Sequence, residues 1–180
     1  MNTSGKEANG LLRIMDAFRA PLIRYAARLL NNLEMAQDAV QNTWIKLSNK
    51  IPPLTDPNDE TRNWLFRVVH NEAVDMIREE ERKRQLHKAW AADPAVGREA
   101  EHLPDTGLNE CERKVLECLT ILPPKQKQVL LLRLQQGLPY EEIARIVGES
   151  SGYVGNLLHQ AVKTLAAEVK RRKGKGNVSL

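Results

Sequence analysis

The sequence predicts an all-α chain: two small helical domains joined by a linker. Three observations lead there. The stretch Leu122 to Leu165, LPPKQKQVLLLRLQQGLPYEEIARIVGESSGYVGNLLHQAVKTL, reads as two short helices, a tight turn and a longer helix, the pattern of a helix-turn-helix. The first half of the chain carries a different set of apolar positions, also at helical spacing. Between them, residues 86–108 lose that periodicity. Composition agrees. Aromatic residues are 4% and charged residues 28% of the 180 positions, and many Leu, Ala, Arg and Glu favour helices over sheets.

The first domain is expected over residues 10–85. Residues 1–9 are polar and are expected to fray. Leu11, Ile14, Met15, Phe18, Leu22, Tyr25 and Leu29 keep helical spacing, with Pro21 predicting a kink or break inside the run. Asn31 and Asn32 end it. A second helix is expected from about Leu33 to Ser48, burying Ala36, Ala39, Val40, Thr43, Trp44 and Leu47. Lys50 to Thr61, KIPPLTDPNDET, holds three prolines and three acids and reads as an ordered surface loop. A third helix is expected from near Thr61 to about Gln85, with Trp64, Leu65, Val68, Val69, Ala73, Met76 and Ile77 as its apolar stripe.

Residues 86–108 contain two prolines, two glycines and an acidic balance, the composition of a linker. Trp90 is the one large apolar residue there, which leaves a short docked helix as an alternative to a free chain. The second domain is expected over residues 109–172. Its first helix should run from about Asn109 to Ile121, with Val115, Leu116 and Leu119 inward. Pro123-Pro124 break the chain and start the next helix, since proline is tolerated in a first turn. Gly137 suits a left-handed cap, Pro139 opens YEEIARIV, and Gly148 closes it. Ser150 or Ser151 caps the last helix, which continues into KRRKGKG.

Charge is distributed unevenly. Residues 1–84 carry 13 basic and 12 acidic groups, residues 85–110 carry 2 and 5, and residues 111–180 carry 12 and 6. The positive field therefore sits on the helix-turn-helix half, as phosphate binding requires, although a solvated surface would also allow it. Cys111 and Cys118 are the only cysteines and no CxxC exists. With four scattered histidines, structural zinc and a disulfide framework are not expected, and no cofactor is implied. Buried, reduced thiols in a cytoplasmic protein are the expectation. MNTSGKEANG lacks the apolar run of a signal peptide, and no stretch approaches the roughly 20 apolar residues of a membrane span. No nucleophile–base pair, metal cluster or phosphate loop suggests an enzyme.

Three surfaces are candidates for function. In the helix-turn-helix, Ile143, Ile146 and Val147 can pack on Val154, Leu157 and Leu158 across the turn, leaving Ser151, Gly152, Tyr153, Gly155 and Asn156 at the helix start where base edges are read. A helical hairpin used only for packing is the alternative. On the second helix, Asp38, Gln41, Asn42 and Ile45 share the face opposite the buried stripe, and an open Ile beside polar groups suggests a protein contact. On the third, Arg62, Arg67, His70, Asn71, Asp75, Arg78 and Arg82-Lys83-Arg84 lie off the apolar stripe and suit a nucleic-acid surface. Ordinary charge pairs, Asp75 with Arg78 and Glu79 with Lys83, would explain the same residues.

Ala36–Leu47 (AQDAVQNTWIKL), Asn63–Arg84 (NWLFRVVHNEAVDMIREEERKR) and LPPKQKQVLLLRLQQGLPYEEIARIVG together resemble the extracytoplasmic-function (ECF) group of bacterial RNA polymerase sigma factors, in order and spacing over residues 10–85 and 109–172. The resemblance implies a region 2 that binds the clamp helices of the polymerase β′ subunit and melts the −10 element, and a region 4 that binds the β flap and the −35 element. Asp38, Gln41, Asn42 and Ile45 would then meet the core polymerase. Asn58, Asp59, Trp64, Arg67, Asn71, Asp75 and Arg78 would meet −10 DNA, the loop Ile51–Thr61 falling where the family captures a flipped base. Ser151, Tyr153, Asn156, His159, Gln160 and Lys163 would meet −35 DNA. A sequestering anti-sigma protein is a further implied partner, covering Ile45 and the third helix.

One departure stands out. The last helix in the family commonly reads like TVKSRLHRAR, whereas Tyr153–Val162 here is YVGNLLHQAV, with Gly, Leu, Gln and Val at basic positions. Either the basic tail Lys170–Lys175 compensates or the second domain leans more on protein contacts. Two other readings remain at this level. One is a stand-alone helix-turn-helix regulator with a helical sensor domain. The other is an adaptor that kept the fold and lost promoter recognition.

Overall fold

The computed structural model describes residues 3–50, 53–90 and 117–176, with side chains over 9–50, 53–86 and 117–172. Six helices, the end of a further one at residues 117–119, and no strand occur among the described residues: α1 (Thr3–Leu30), α2 (Leu33–Ser48), α3 (Asp59–Trp90), α4 (Pro124–Gln136), α5 (Tyr140–Val147) and α6 (Ser151–Gly176). The chain divides into two compact units between Leu103 and Pro104.

In the first unit α1, α2 and α3 pack on one another. Ile14, Leu22, Tyr25, Ala26, Ala36, Ala39, Leu65, Phe66, Val69 and Ala73 are wholly buried between them. Of the kink or break expected at Pro21, the break does not occur, α1 being continuous through it. Proline removes one intrahelical hydrogen bond and crowds the preceding turn, but Leu22, Tyr25, Ala26, Leu29 and Leu30 are all buried just beyond it, and that packing carries the helix through. Residues 3–9, within the stretch expected to fray, are helical, α1 starting at Thr3. Asn31 takes a left-handed conformation (φ 55°) and the Asn32 side chain accepts the Met35 N–H at 2.8 Å, which together end α1 and start α2. The bounds of α2 match expectation, as do its buried residues except Trp44, which is only half-buried.

α3 differs more. It begins at Asp59 and continues to Trp90, through residues assigned to the linker. Pairs Glu79–Arg82 (2.6 Å), Glu80–Lys83 (3.6 Å) and Glu79–Lys83 (3.9 Å) support its exposed second half at helical spacing. Besides Thr61, two buried residues of α3 lie outside the predicted stripe. Phe66 meets Tyr25 edge-on, with ring centroids 5.6 Å apart, and His70, read from sequence as an exposed polar residue, is buried with Nδ1 2.8 Å from Tyr25 Oη. Tyr25 provides both an aromatic edge and a hydroxyl partner, which explains why a histidine belongs in this core.

In the second unit the local punctuation acts as read. Pro124 occupies the first turn of α4, and Gly137 (φ 63°) and Gly148 (φ 70°) are left-handed caps. Ser150 is the cap of α6: the Tyr153 N–H donates to its Oγ at 3.2 Å and the Val154 N–H to its carbonyl at 3.0 Å. Leu131, Leu132, Leu138, Ile143 and Val154 are fully buried among α4, α5 and α6. Of the helix expected over 109–121 only the end, residues 117–119, is described, with Leu119 buried and Cys118 a buried free thiol. Val115, Leu116, Cys111 and the linker from residue 91 onward lie outside the described residues.

Candidate polymerase and nucleic-acid surfaces

The outer face of α2 is built by the burial of its other side. Ala36, Ala39, Val40, Thr43 and Leu47 face the core, and the Thr43 hydroxyl donates to the Ala39 carbonyl at 2.8 Å, removing its one polar group from competition. Asp38 and Gln41 are left exposed, and Ile45 is 54% exposed. Asn42 behaves differently from its neighbours. It is half-buried and donates Nδ2–H to Glu72 Oε2 of α3 at 3.1 Å, while Lys46 pairs with the other oxygen of Glu72. Asn42 therefore ties α2 to α3, and the open part of the face is Asp38, Gln41 and Ile45.

The loop ahead of α3 is tightly held over residues 53–58; Ile51 and Pro52 lie outside the described residues. The Asn58 side chain accepts the Thr61 N–H at 2.9 Å, the Thr61 hydroxyl donates to the Asp56 carbonyl at 2.6 Å, and the Asn58 N–H donates to that same carbonyl at 2.9 Å. Thr61 is fully buried. Asn58 thus caps α3 and Thr61 locks the loop. Asp59 is open to solvent, 3.3 Å from Arg62. Farther along α3, Arg67, Asn71, Asp75 and Arg78 recur at spacings of three and four and are all exposed, on one face. Asp75 and Arg78 are 3.3 Å apart, the pair that the spacing predicted. Trp64 is half-buried, with the Lys50 ammonium 5.9 Å from its ring. His70 points the other way. Burial pushes its imidazole from 6.5 down to about 4, and the nearby Arg78 guanidinium adds to that.

In the second unit Ser151, Tyr153, Asn156, His159, Gln160 and Lys163 are all exposed on α6. Gly155 is turned away from that face, because the Tyr140 ring of α5 covers it: a Cβ there would stand 3.5 Å from Tyr140 Cε2. Two residues of α4 that the sequence reading did not single out join the face. Lys125 lies 5.8 Å from the Tyr153 ring and pairs with Glu149, whose hydrogen bond raises the lysine's pKa. Gln126 donates to Gln160 Oε1 at 3.1 Å, and Gln160 donates to Asn156 Oδ1 at 3.1 Å, so three amides form a chain along the surface. The sequence signal for this was weak: Lys125 and Gln126 follow a helix-starting proline, but nothing local says they return beside Tyr153. The tail is placed differently. At 1.5 Å per residue Arg171 stands about 27 Å along α6 from Tyr153, and Arg171 and Arg172 pair with Glu168 at 2.6 and 2.8 Å, with Arg172 also 2.9 Å from Glu117. Those pairs hold the Glu168 carboxyl well below its ordinary range.

Among the described residues no group of His, Cys, Asp and Glu could hold a metal ion, and no helix is long and apolar enough to cross a membrane. The surfaces offer hydrogen bonds, charge and open apolar side chains such as Ile45 and Tyr153, which is chemistry for binding.

Comparison with known proteins gives the family. Residues 14–83 match the family model of sigma-70 region 2, and residues 112–165 match that of sigma-70 region 4. RNA polymerase sigma factor SigV of Bacillus subtilis (strain 168) is 26% identical over 148 residues, covering 82% of this chain and 84% of that protein. ECF RNA polymerase sigma factor SigL of Mycobacterium tuberculosis (strain ATCC 25618 / H37Rv) is 28% identical over 160 residues, 88% of each chain. The sigma factor RpoE of Bartonella quintana, solved in complex with the anti-sigma factor NepR, has the same fold, with a TM-score of 0.66 and 23% identity over 94% of this chain and 98% of that one. With both sigma-70 regions matched in order along its length, the chain belongs to the ECF group of RNA polymerase sigma factors, the proteins that act with RNA polymerase in transcription initiation.

Proposed function

We propose that this sigma factor grips core polymerase through the open face of α2, with Asp38, Gln41 and Ile45 on the β′ clamp helices and Asn42 holding that face to α3. The observation that carries this is Ile45, 54% exposed beside two polar groups on a helix whose opposite side is wholly buried. An apolar side chain left open at the centre of a polar face suits a protein partner. The adjoining surface, formed by the 53–58 loop, Asp59, Trp64, Arg67, Asn71, Asp75 and Arg78, then receives the −10 element. A flipped base costs about a few kcal/mol, and contacts with this surface offset it. In the second unit the start of α6, with Lys125 and Gln126 beside it, meets the −35 element, and the rest of that unit meets the β flap. Binding energy, not catalysis, opens the DNA, and the site of action is the cytoplasm. An anti-sigma protein is a natural partner for the Ile45 face, since the free protein would otherwise compete for polymerase continuously.

The test is run-off transcription from a promoter library with purified core polymerase, with and without this protein. Initiation that appears only on its addition, from promoters sharing −10 and −35 sequences, is the expected result. Sequence-specific binding to a palindromic duplex without polymerase would instead indicate a stand-alone regulator. One observation favours a second reading: Lys163 is the only lysine or arginine on the exposed α6 face between Ser151 and Lys163. Core binding without initiation from any library member would support the adaptor.

A further inference from the structure

Gly10 lies inside α1, where glycine is disfavoured relative to alanine because it has more backbone freedom to lose. Its presence has a packing reason. The backbone of Thr55 lies directly on it. A Cβ built at residue 10 would stand 2.7 Å from the Thr55 carbonyl oxygen, 3.2 Å from its Cα and 3.3 Å from its carbonyl carbon. These are main-chain atoms, so no side-chain rotation relieves the contact. Three residues along α1, Arg13 reaches Asp56 at 3.5 Å. The Asp56 carbonyl in turn holds the Thr61 hydroxyl and the Asn58 N–H. The loop is thus fastened to α1 through Thr55 and Asp56 and to the start of α3 through Asn58 and Thr61.

We propose that Gly10 and Arg13 are positioning residues for promoter opening: they set where the 53–58 loop stands, and so which −10 base it accepts. This rests on the proposed function, because the loop's position matters to promoter choice only where it meets DNA. A methyl group at residue 10 would move Thr55 from 2.7 Å to at least the 3.4 Å at which ordinary contact begins, a shift of about 0.7 Å. Polar recognition tolerates about 0.5 Å before its geometry degrades. The Arg13–Asp56 pair is mostly solvent-exposed and therefore the weaker of the two fastenings.

The experiment compares the full-length wild type with Gly10→Ala and Arg13→Glu. It measures helical content, affinity for core polymerase, initiation from a promoter library randomised at −10, and amide exchange over residues 55–58 in the free protein. Gly10→Ala should keep its helical content and bind core polymerase within about twofold of wild type. Its preference for the best −10 base over single-base variants should fall about tenfold, with faster exchange at 55–58. Arg13→Glu should lower the same preference about threefold. A purely structural defect would reduce initiation from all promoters alike and leave the preference ratio unchanged. An active wild type whose Gly10→Ala variant keeps the same −10 preference overturns the assignment, the more so if that variant melts higher, as helix propensity alone would give. Should Gly10→Ala fail to fold, an unaltered preference in Arg13→Glu overturns it instead. A wild type that initiates from no library member overturns the proposed function and this assignment together, and the exchange rates then read the loop's anchoring separately.

Discussion

Lowering the pH from 7 to 4.5 is expected to cost the first unit about 2 kcal/mol through His70 alone. His70 is 4% exposed, and its Nδ1 lies 2.8 Å from the Tyr25 hydroxyl. Burial first, then the Arg78 guanidinium, push its imidazole from 6.5 down to about 4. Between those two values the unfolded chain takes up a proton that the folded chain refuses. Stability therefore falls as the pH drops through that window, and is unaffected by His70 above it. The full shift corresponds to about 3 kcal/mol, and about 2 kcal/mol of that is reached by pH 4.5. Urea unfolding followed by tryptophan fluorescence isolates the effect, because all three tryptophans (Trp44, Trp64 and Trp90) lie in the first unit. The partner experiment is His70→Asn, which keeps a polar group near the Tyr25 hydroxyl but does not titrate. Its smaller side chain lowers stability equally at every pH, and the carboxylates common to both proteins cancel in the comparison. Wild type should lose about 2 kcal/mol more than the variant between pH 7 and 4.5. Parallel curves for the two proteins would refute the reasoning.

Three other outcomes follow from the same structure. Asp38→Arg or Gln41→Ala should weaken core-polymerase binding by about 1–3 kcal/mol without altering the circular dichroism spectrum, whereas Asn42→Ala should lower the melting temperature, because it removes the bond to Glu72. Asn58→Ala should destabilise the first unit by about 1 kcal/mol in chemical denaturation, as the loss of a helix cap; an unchanged midpoint would mean the side chain is not engaged. Lys163→Ala should reduce the slope of log affinity against log salt on −35 DNA by about one, while Arg171→Ala, far along α6 and paired with Glu168, should leave the slope unchanged.

Much of this protein was legible in the chain itself, and the reason is locality. Pro124, Gly137, Pro139, Gly148 and Ser150 act through their own backbone and the next few residues, so the sequence alone predicts the helix-turn-helix from them. The bounds and buried face of α2 followed from helical spacing. So did the Asp75–Arg78 and Glu79–Lys83 pairs, being contacts one turn apart. The order and spacing of the motifs also carried the sigma-factor resemblance. What escaped was everything decided between residues distant in sequence. Nothing near Pro21 says that buried neighbours will carry α1 through unbroken. Nothing near His70 says that Tyr25, 45 residues away, will give it a partner in the core. Asn58 is an exception: it caps α3 through the Thr61 N–H only three residues on, a local contact, whereas the burial of Thr61 comes from packing. Lys125 met Tyr153, and Thr55 met Gly10, only because whole helices and a loop packed together. Periodicity identifies which side of a helix is apolar; which polar group is occupied and which is left for a partner depends on what packs against it, and only the tertiary fold brings those groups together.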